Sequence, residues 1–364
     1  MKQFAFIARI LVGLVFIFSG FVKGVDPTGV QYIMHDYIDA YGWDFLNNLI
    51  FVGSFALCML EFTVGVLLVC NILPRITLVA VTLMMVYFTG TTLYDAIFDP
   101  VHDCGCFGSA IKLTNWETFY KNVVLDVLLV VAWLRYKGLK PWISCKKGFV
   151  VGFAVAFVFL GFEIYNYRYL PVVNFLDWKV GRRMLEENPQ PIKYYFTYKN
   201  KTTGDVREFE SSALPSTTEW EYVSRRDEDP NKNYANINIL DVDGMDVTRH
   251  LLTDPSFNFI IAAYDLAQAE GAYLDSMISL ASQMEEQGYY YVILTASSPE
   301  DVEAYQTRTG RSLPFFFADD TGIKAMIRSN PGLILMRNSV VLGLWGKRML
   351  PDYEKLKALM DGVE

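Results

Sequence analysis

Five stretches of the chain, roughly 4–22, 46–73, 75–94, 116–135 and 149–167, carry apolar residues all round a helix and not along one stripe. The hydrocarbon core of a bilayer is about 30 Å thick and takes ~20 apolar residues in helical form. Five such runs in the first 165 residues therefore predict membrane-spanning helices, where a single one could be a buried core helix. The third run holds no charged residue from Ile76 to Tyr94. Tyr94, Trp116, Trp142 and the Tyr165/Tyr167/Tyr169 group stand at segment ends, where amphipathic rings favour the headgroup layer. Between the first two runs, Tyr32, Ile33, Tyr37, Ile38 and Tyr41 recur at helical spacing within 26–44, as in an amphipathic helix lying on the outer leaflet.

Beyond 168 the pattern changes. After an approach segment (168–191), residues 193–250 read as short strands and polar turns, with strands at 194–199 and 206–210 around a turn at 201–204. Asp241-Val242-Asp243-Gly244 begins like a calcium loop but lacks the later ligands and is read as a turn. From 255 the elements alternate: a strand at 257–264, a helix at 271–287 and a strand at 289–294. A helix opened by Ser298-Pro299-Glu300-Asp301 follows, then a strand at 313–318 and a short helix at 321–328. A hairpin of 333–337 and 340–345 turns at Asn338-Ser339, and a helix at 351–360 closes the chain. That order predicts a central sheet with helices on both faces.

Charge follows the same division. Residues 1–165 balance 11 basic against 11 acidic side chains, and the whole net charge of −8 lies in 166–364. No basic patch dominates, so nucleic acid is not the expected partner. Five cysteines in 364 residues cannot staple a fold. Orientation comes from the loops: Lys2, Arg9, Arg75, Arg135, Lys137, Lys140, Lys146 and Lys147 fall on one side, and only Lys23 and Lys112 on the other. Lys and Arg accumulate on the cytoplasmic side, so the expectation is a bacterial inner-membrane protein with its N-terminus cytoplasmic. Five spans would then leave everything after ~168 in the periplasm. The first run ends in Ser19-Gly20-Phe21-Val22-Lys23 without a small-x-small cleavage site, and reads as a retained signal anchor.

The strongest chemical signal is His102-Asp103-Cys104-Gly105-Cys106-Phe107-Gly108, between the third and fourth runs. Two cysteines flanking a glycine can close a small disulfide, and a strained one is readily reduced. His102 would favour a thiolate when protonated, and Asp103 would oppose it. Redox exchange at Cys104 and Cys106, a fixed structural disulfide, and a metal held by Cys104, Cys106 and His102 all remain open at this point. Glu61 and Asp126 fall near the middle of the second and fourth runs, where a charge costs about 2.5–3.5 kcal/mol unless paired or neutral. Asn122 lies one turn from Asp126, and Cys58 one turn from Glu61. These residues read either as proton carriers or anchors of a buried quinone-like ligand, or as structural pairs, Glu61 with Asp126 or with Arg9. Cys58, Cys70 and Cys145 are too far apart along the helices for easy exchange and read as small packing residues.

Two resemblances follow from these motifs. The first run (Arg9 to Gly13, then Phe18-Ser19-Gly20-Phe21-Val22-Lys23) and Leu60-Glu61-Phe62-Thr63-Val64-Gly65 resemble the opening helices of DoxX-type membrane proteins. The Cys-Gly-Cys-Phe-Gly loop followed by a helix with Asn122 is similar to the methylamine-utilisation MauE subgroup, over about 1–135. The resemblance implies a four-helix membrane bundle associated with redox chemistry or with maturation of disulfide-rich partners. Residues 255–362 resemble a thioredoxin-like domain, with Asn330-Pro331 where that family carries its cis-proline binding loop. Its C-x-x-C is replaced by Tyr264-Asp265-Leu266-Ala267-Gln268, and no cysteine follows Cys145.

The expected architecture is therefore a DoxX/MauE-like four-helix membrane domain (1–140) and a fifth transmembrane helix (141–168). An extracytoplasmic strand-rich segment (169–254) and an α/β thioredoxin-like domain (255–364) follow. The expected partners are the bilayer and exported thiol-containing or other envelope proteins. The competing function is a membrane scaffold whose outer domain recruits an envelope protein.

Overall fold

The computed structural model describes residues 2–101, 105–134, 141–186, 190–191, 193–228, 234–269 and 271–363. They form two compact units, Met1–Leu176 and Asp177–Glu364. The first is helical, with α1 (Lys2–Val25), α2 (Pro27–Tyr41), a 3-10 turn (Asp44–Leu49), α3 (Ile50–Val69), α4 (Pro74–Phe98), α5 (Asn115–Trp133) and α6 (Cys145–Arg168).

Gln3–Val25, Asp44–Val69, Pro74–Phe98 and Cys145–Arg168 are long and apolar enough to cross a membrane. The helix expected over 116–135 forms as α5, but Glu117, Lys121 and Asp126 keep it outside that group by composition. It nevertheless runs antiparallel to α4 for its full length. Trp133 Nε1 donates to Thr82 Oγ1 (2.8 Å), Thr89 Oγ1 to Asp126 (2.7 Å), Asn122 Nδ2 to Thr92 Oγ1 (3.1 Å) and Asn115 Nδ2 to Asp99 (2.8 Å). Each of these polar groups would be costly in hydrocarbon alone.

α1 and α3 approach closely because glycines line the seam. A Cβ at Gly20 would lie 2.5 Å from Phe62 N, and one at Gly65 2.7 Å from Ile17 N. Such small residues let helix backbones meet, which supplies the packing that a bilayer does not drive hydrophobically. Val12 and Phe16, Val64 and Leu68, Leu78, Val81 and Met85, and Leu125 and Leu129 fill the centre among α1, α3, α4 and α5. Large apolar side chains, including Leu83, Val86, Phe153 and Phe157, cover the outside. This inverted distribution suits a helix bundle solvated by lipid.

The second unit contains two sheets. β1 (Lys193–Asn200), β2 (Val206–Glu210) and β3 (Trp220–Glu228) form an antiparallel meander with β1 central. After the short α7 (Thr248–Leu252) come β4 (Asn258–Ala262), α8 (Gly271–Glu285), β5 (Tyr290–Thr295), α9 (Pro299–Thr309) and β6 (Phe315–Phe317). Then follow α10 (Asp320–Met326), β7 (Gly332–Arg337), β8 (Val340–Gly346) and α11 (Tyr353–Asp361). The five-stranded sheet has the order β6-β5-β4-β7-β8, with β4, β5 and β6 parallel and β7 and β8 antiparallel to their neighbours. β4 is buried at every position, as a central strand covered on both faces must be.

The expected hairpin turn at Asn338-Ser339 forms with both residues at positive φ, the type I′ signature. Both sheet edges are covered by upstream chain: Arg183 bridges Val340 on β8, and Leu240 bridges Phe317 on β6. Covered edges offer no open ladder for aggregation. The Asp241–Gly244 segment is a turn, its Asp241 carboxylate accepting from Asp243 N and Met245 N. The topology is the thioredoxin-like arrangement expected from the sequence, and β3 and α7 are elements the sequence pattern did not reveal.

Candidate functional site

Between Arg9 and Lys23 the sequence of α1 carries no charge, and the helix end carries the Lys23 side chain into the bundle. Its ammonium meets Glu61 Oε1 of α3 at 2.6 Å, with Lys23 6% and Glu61 1% exposed. Ser19, one turn earlier on α1, places its hydroxyl 2.7 Å from Glu61 Oε2 and 2.8 Å from the Cys106 carbonyl oxygen. One hydroxyl proton serves either acceptor, so Ser19 links the ion pair to the cysteine loop. Glu61 is thus paired with Lys23, and neither Arg9 nor Asp126 takes that place. Asp126 accepts from Thr89 instead.

The loop is held from several sides. Gly105 and Gly108 adopt positive φ (61° and 50°), and a side chain at Gly105 would collide with Ile33 of α2. Glycine therefore suits this position by its conformation, and any other residue would also have to displace the Ile33 side chain. Phe107 packs edge-on against Phe18 of α1 (5.4 Å), and Lys121 of α5 lies over its ring at 4.3 Å. Ser109 donates to Asp26 at 2.9 Å, and the other oxygen of Asp26 caps α2 through Gly29 N. Cys106 lies inside this frame. His102 and Cys104, the other two predicted site residues of the loop, lie outside the described residues.

The ion pair and the loop border a cavity of about 510 Å³. Its walls are mainly apolar, from Val15 and Phe16 of α1, Ile33 and Met34 of α2, Leu57 of α3, and Met85 and Phe88 of α4. Polar side chains at its wall include Ser19, Lys23, Glu61, Cys106, Lys121 and Asn122. The amphipathic helix expected over 26–44 is α2, and one of its faces forms a wall of this cavity. Tyr37 and Tyr41 hydroxyls donate to Asp95 of α4 (2.6 and 3.2 Å) and so tie α2 to α4 beside the cavity. Glu61, Asn122 and Cys106 are thereby brought to one cavity, while Asp126 does not line it.

Three functional candidates escaped the sequence reading. Lys23 reads in the sequence as a loop charge and Ser19 as a small residue at the end of the first run, both only as members of the DoxX-like stretch, and the sequence pattern does not single out Glu163 near the end of α6. Glu163 is fully buried and faces the Cys58 thiol, and among the described residues neither carboxyl oxygen has a conventional hydrogen-bond partner. A charged residue at the inner edge of an apolar run was the available signal.

In the second unit, Asn330-Pro331 is a cis peptide bond, and Asn330 Nδ2 donates to the Asp265 carbonyl at 2.8 Å. The predicted binding loop therefore faces the segment that replaces C-x-x-C. Among the described residues no group of three or more His, Cys, Asp or Glu side chains is arranged to hold a metal.

Residues 1–135 match the family model described as methylamine utilisation protein MauE. No curated protein matches the chain. Among solved structures, a Neisseria meningitidis protein assigned as a thioredoxin is similar, with 18% identity over 34% of this chain and 83% of that chain, at a TM-score of 0.27. A MauE-like region thus precedes a domain whose own strand order, β6-β5-β4-β7-β8, is thioredoxin-like.

Proposed function

We propose that this is an inner-membrane thiol–disulfide oxidoreductase, in which the Cys104/Cys106 pair takes electrons from exported dithiol proteins and passes them to a quinone in the helical cavity. The observation that carries the reading is that Cys106 borders a largely apolar cavity of about 510 Å³ beside a buried Lys23–Glu61 ion pair. Such a cavity has the size and lining of a small-molecule site. The electron balance is simple. A partner dithiol becomes a disulfide as the Cys104–Cys106 disulfide becomes two thiols, and those thiols then lose two electrons and two protons to the quinone, which leaves as quinol.

The full-length pairing of α5 with α4 supports five crossings, since α5 must share whatever environment α4 has. Arg9 and Lys23 lie buried within the bundle. Setting them aside leaves seven basic residues against one in the loops, which still favours a cytoplasmic N-terminus and a periplasmic thioredoxin-like domain. That domain has no cysteine, so its role in this reading is to recruit the exported partner with the Asn330-Pro331 loop.

Thiol trapping of Cys104 and Cys106 in living cells, with and without respiratory inhibition, tests the function. The pair is expected to be mixed in redox state and to become more reduced when quinol oxidation stops, and a Cys104→Ser/Cys106→Ser variant is expected to lose complementation of a null strain. A pair that stays fully oxidised, with full complementation by the double variant, leaves the scaffold reading in its place.

A further inference from the structure

The polar groups lining the cavity are not equivalent. Tyr37 and Tyr41 spend their hydroxyl protons on Asp95. Asn122 donates to Thr92 Oγ1 and the Phe88 carbonyl (3.1 and 3.4 Å), and Ser19 donates within the Glu61–Cys106 link. Lys23 is different. An ammonium has three donors, and among the described residues its Nζ makes one hydrogen bond, to Glu61, with the Phe88 ring 5.6 Å away. A buried ion pair is a poor stabiliser compared with apolar residues of similar size, so packing alone does not account for it.

We propose that Lys23 is the headgroup-docking residue of the cavity. Its ammonium donates to one ring oxygen of a membrane-soluble quinone, and Glu61 fixes the ammonium in position. This rests on the reading of the cavity as a quinone site and names the residue that recognises the ligand. When the two cysteine S–H bonds break and the S–S bond forms, two electrons reach the ring and negative charge develops on its oxygens. Lys23 lies where it neutralises that charge, and the two thiol protons end as the two O–H bonds of the quinol. Ser19 and Glu61 connect the cysteine loop to Lys23 and are the groups placed to carry a proton between them. Docking on Lys23 makes one quinone carbonyl strongly hydrogen-bonded and leaves the other without a buried cation of its own.

The test uses the full chain in detergent micelles and ubiquinone-1 as the probe, with binding measured by equilibrium dialysis. The wild type and Cys104→Ser/Cys106→Ser are expected to bind alike, because the cysteines react with the ring and do not hold it. Lys23→Met/Glu61→Leu removes both charges without orphaning either, and is expected to bind roughly 10- to 100-fold more weakly, the loss of one charge-assisted hydrogen bond. Binding by that double variant equal to wild type overturns the inference while leaving the cavity reading intact, as does weakening in Lys121→Met alone. Absence of saturable binding by the wild type removes the quinone reading itself, and this inference with it. Infrared difference spectra of carbonyl-labelled ubiquinone-1 on the wild type give a second readout that needs no variant. Two unequal C=O bands are expected, one lowered in frequency, and two equivalent bands overturn the proposal.

Discussion

Glu163 and Glu61 are both carboxyls buried in the helical unit, yet their surroundings differ. Glu61 has a cation at 2.6 Å and a hydroxyl at 2.7 Å, whereas among the described residues Glu163 faces the Cys58 thiol, a weak donor, with no other partner for its carboxyl oxygens. Opposite responses to substitution follow. Glu163→Met removes an unsatisfied buried polar group and is expected to stabilise the unit by about 1–3 kcal/mol, read as a higher thermal midpoint in detergent. Glu61→Leu leaves the Lys23 ammonium alone and is expected to cost about 3–5 kcal/mol. A lower midpoint for Glu163→Met would mean that its carboxyl makes an interaction that holds the helices together. The sequence marked Glu61 and Asn122 because polar groups interrupt apolar runs. It could not pair them: Glu61 is 38 residues from its partner Lys23, and only helix packing chooses among the possible partners.

At the scale of elements, the glycines of the helical unit sort into two kinds. Gly20 lies against the backbone of α3, whereas a Cβ at Gly161 of α6 meets nothing within 4 Å. Gly20→Ala is therefore expected to push α1 from α3 and cost about 1–3 kcal/mol. Gly161→Ala is expected to be neutral or to gain up to ~1 kcal/mol of helix propensity. Thermal unfolding of the two variants side by side checks the contrast. α11 supplies a pH prediction. Asp352 caps it, accepting from Lys355 N (2.9 Å) and Lys355 Nζ (2.8 Å), and these bonds hold its carboxyl below the ordinary aspartate range. A depressed carboxylate stabilises the folded helix above its unfolded pKa, about 3.9, and that stability is lost as pH falls through the folded value. Hydrogen exchange over 353–361 is expected to lose protection between pH 5 and 3 relative to Asp352→Asn, which keeps an acceptor that does not titrate. Equal profiles for the two proteins would exclude the cap as the titrating group. Most elements of the second unit were legible because their apolar period changes at Gly, Pro and Ser punctuation. β3 was not, since Trp220–Glu228 mixes charged and aromatic residues without a buried alternation.

For the whole molecule, sidedness depends on α5. If α5 crosses with α4, the native Cys145 at the start of α6 reacts with impermeant maleimide from the cytoplasmic face of sealed membranes, and a cysteine introduced at Ser216 in the second unit from the periplasmic face. The exchanged pattern, Cys145 periplasmic and position 216 cytoplasmic, would take α5 out of the bilayer and reverse the second unit. The apolar runs, the charge division and the Cys-Gly-Cys loop settled at the level of sequence that a helical membrane region precedes an α/β domain. They could do so because hydrophobicity, period and turn chemistry are local properties of the chain. The pairing of Lys23 with Glu61, the use of α2 as a cavity wall and the seating of Cys106 beside that cavity were decided by tertiary structure alone. They depend on which helix faces meet, and close packing at Gly20, Gly65 and Gly105 sets that geometry between residues far apart in sequence.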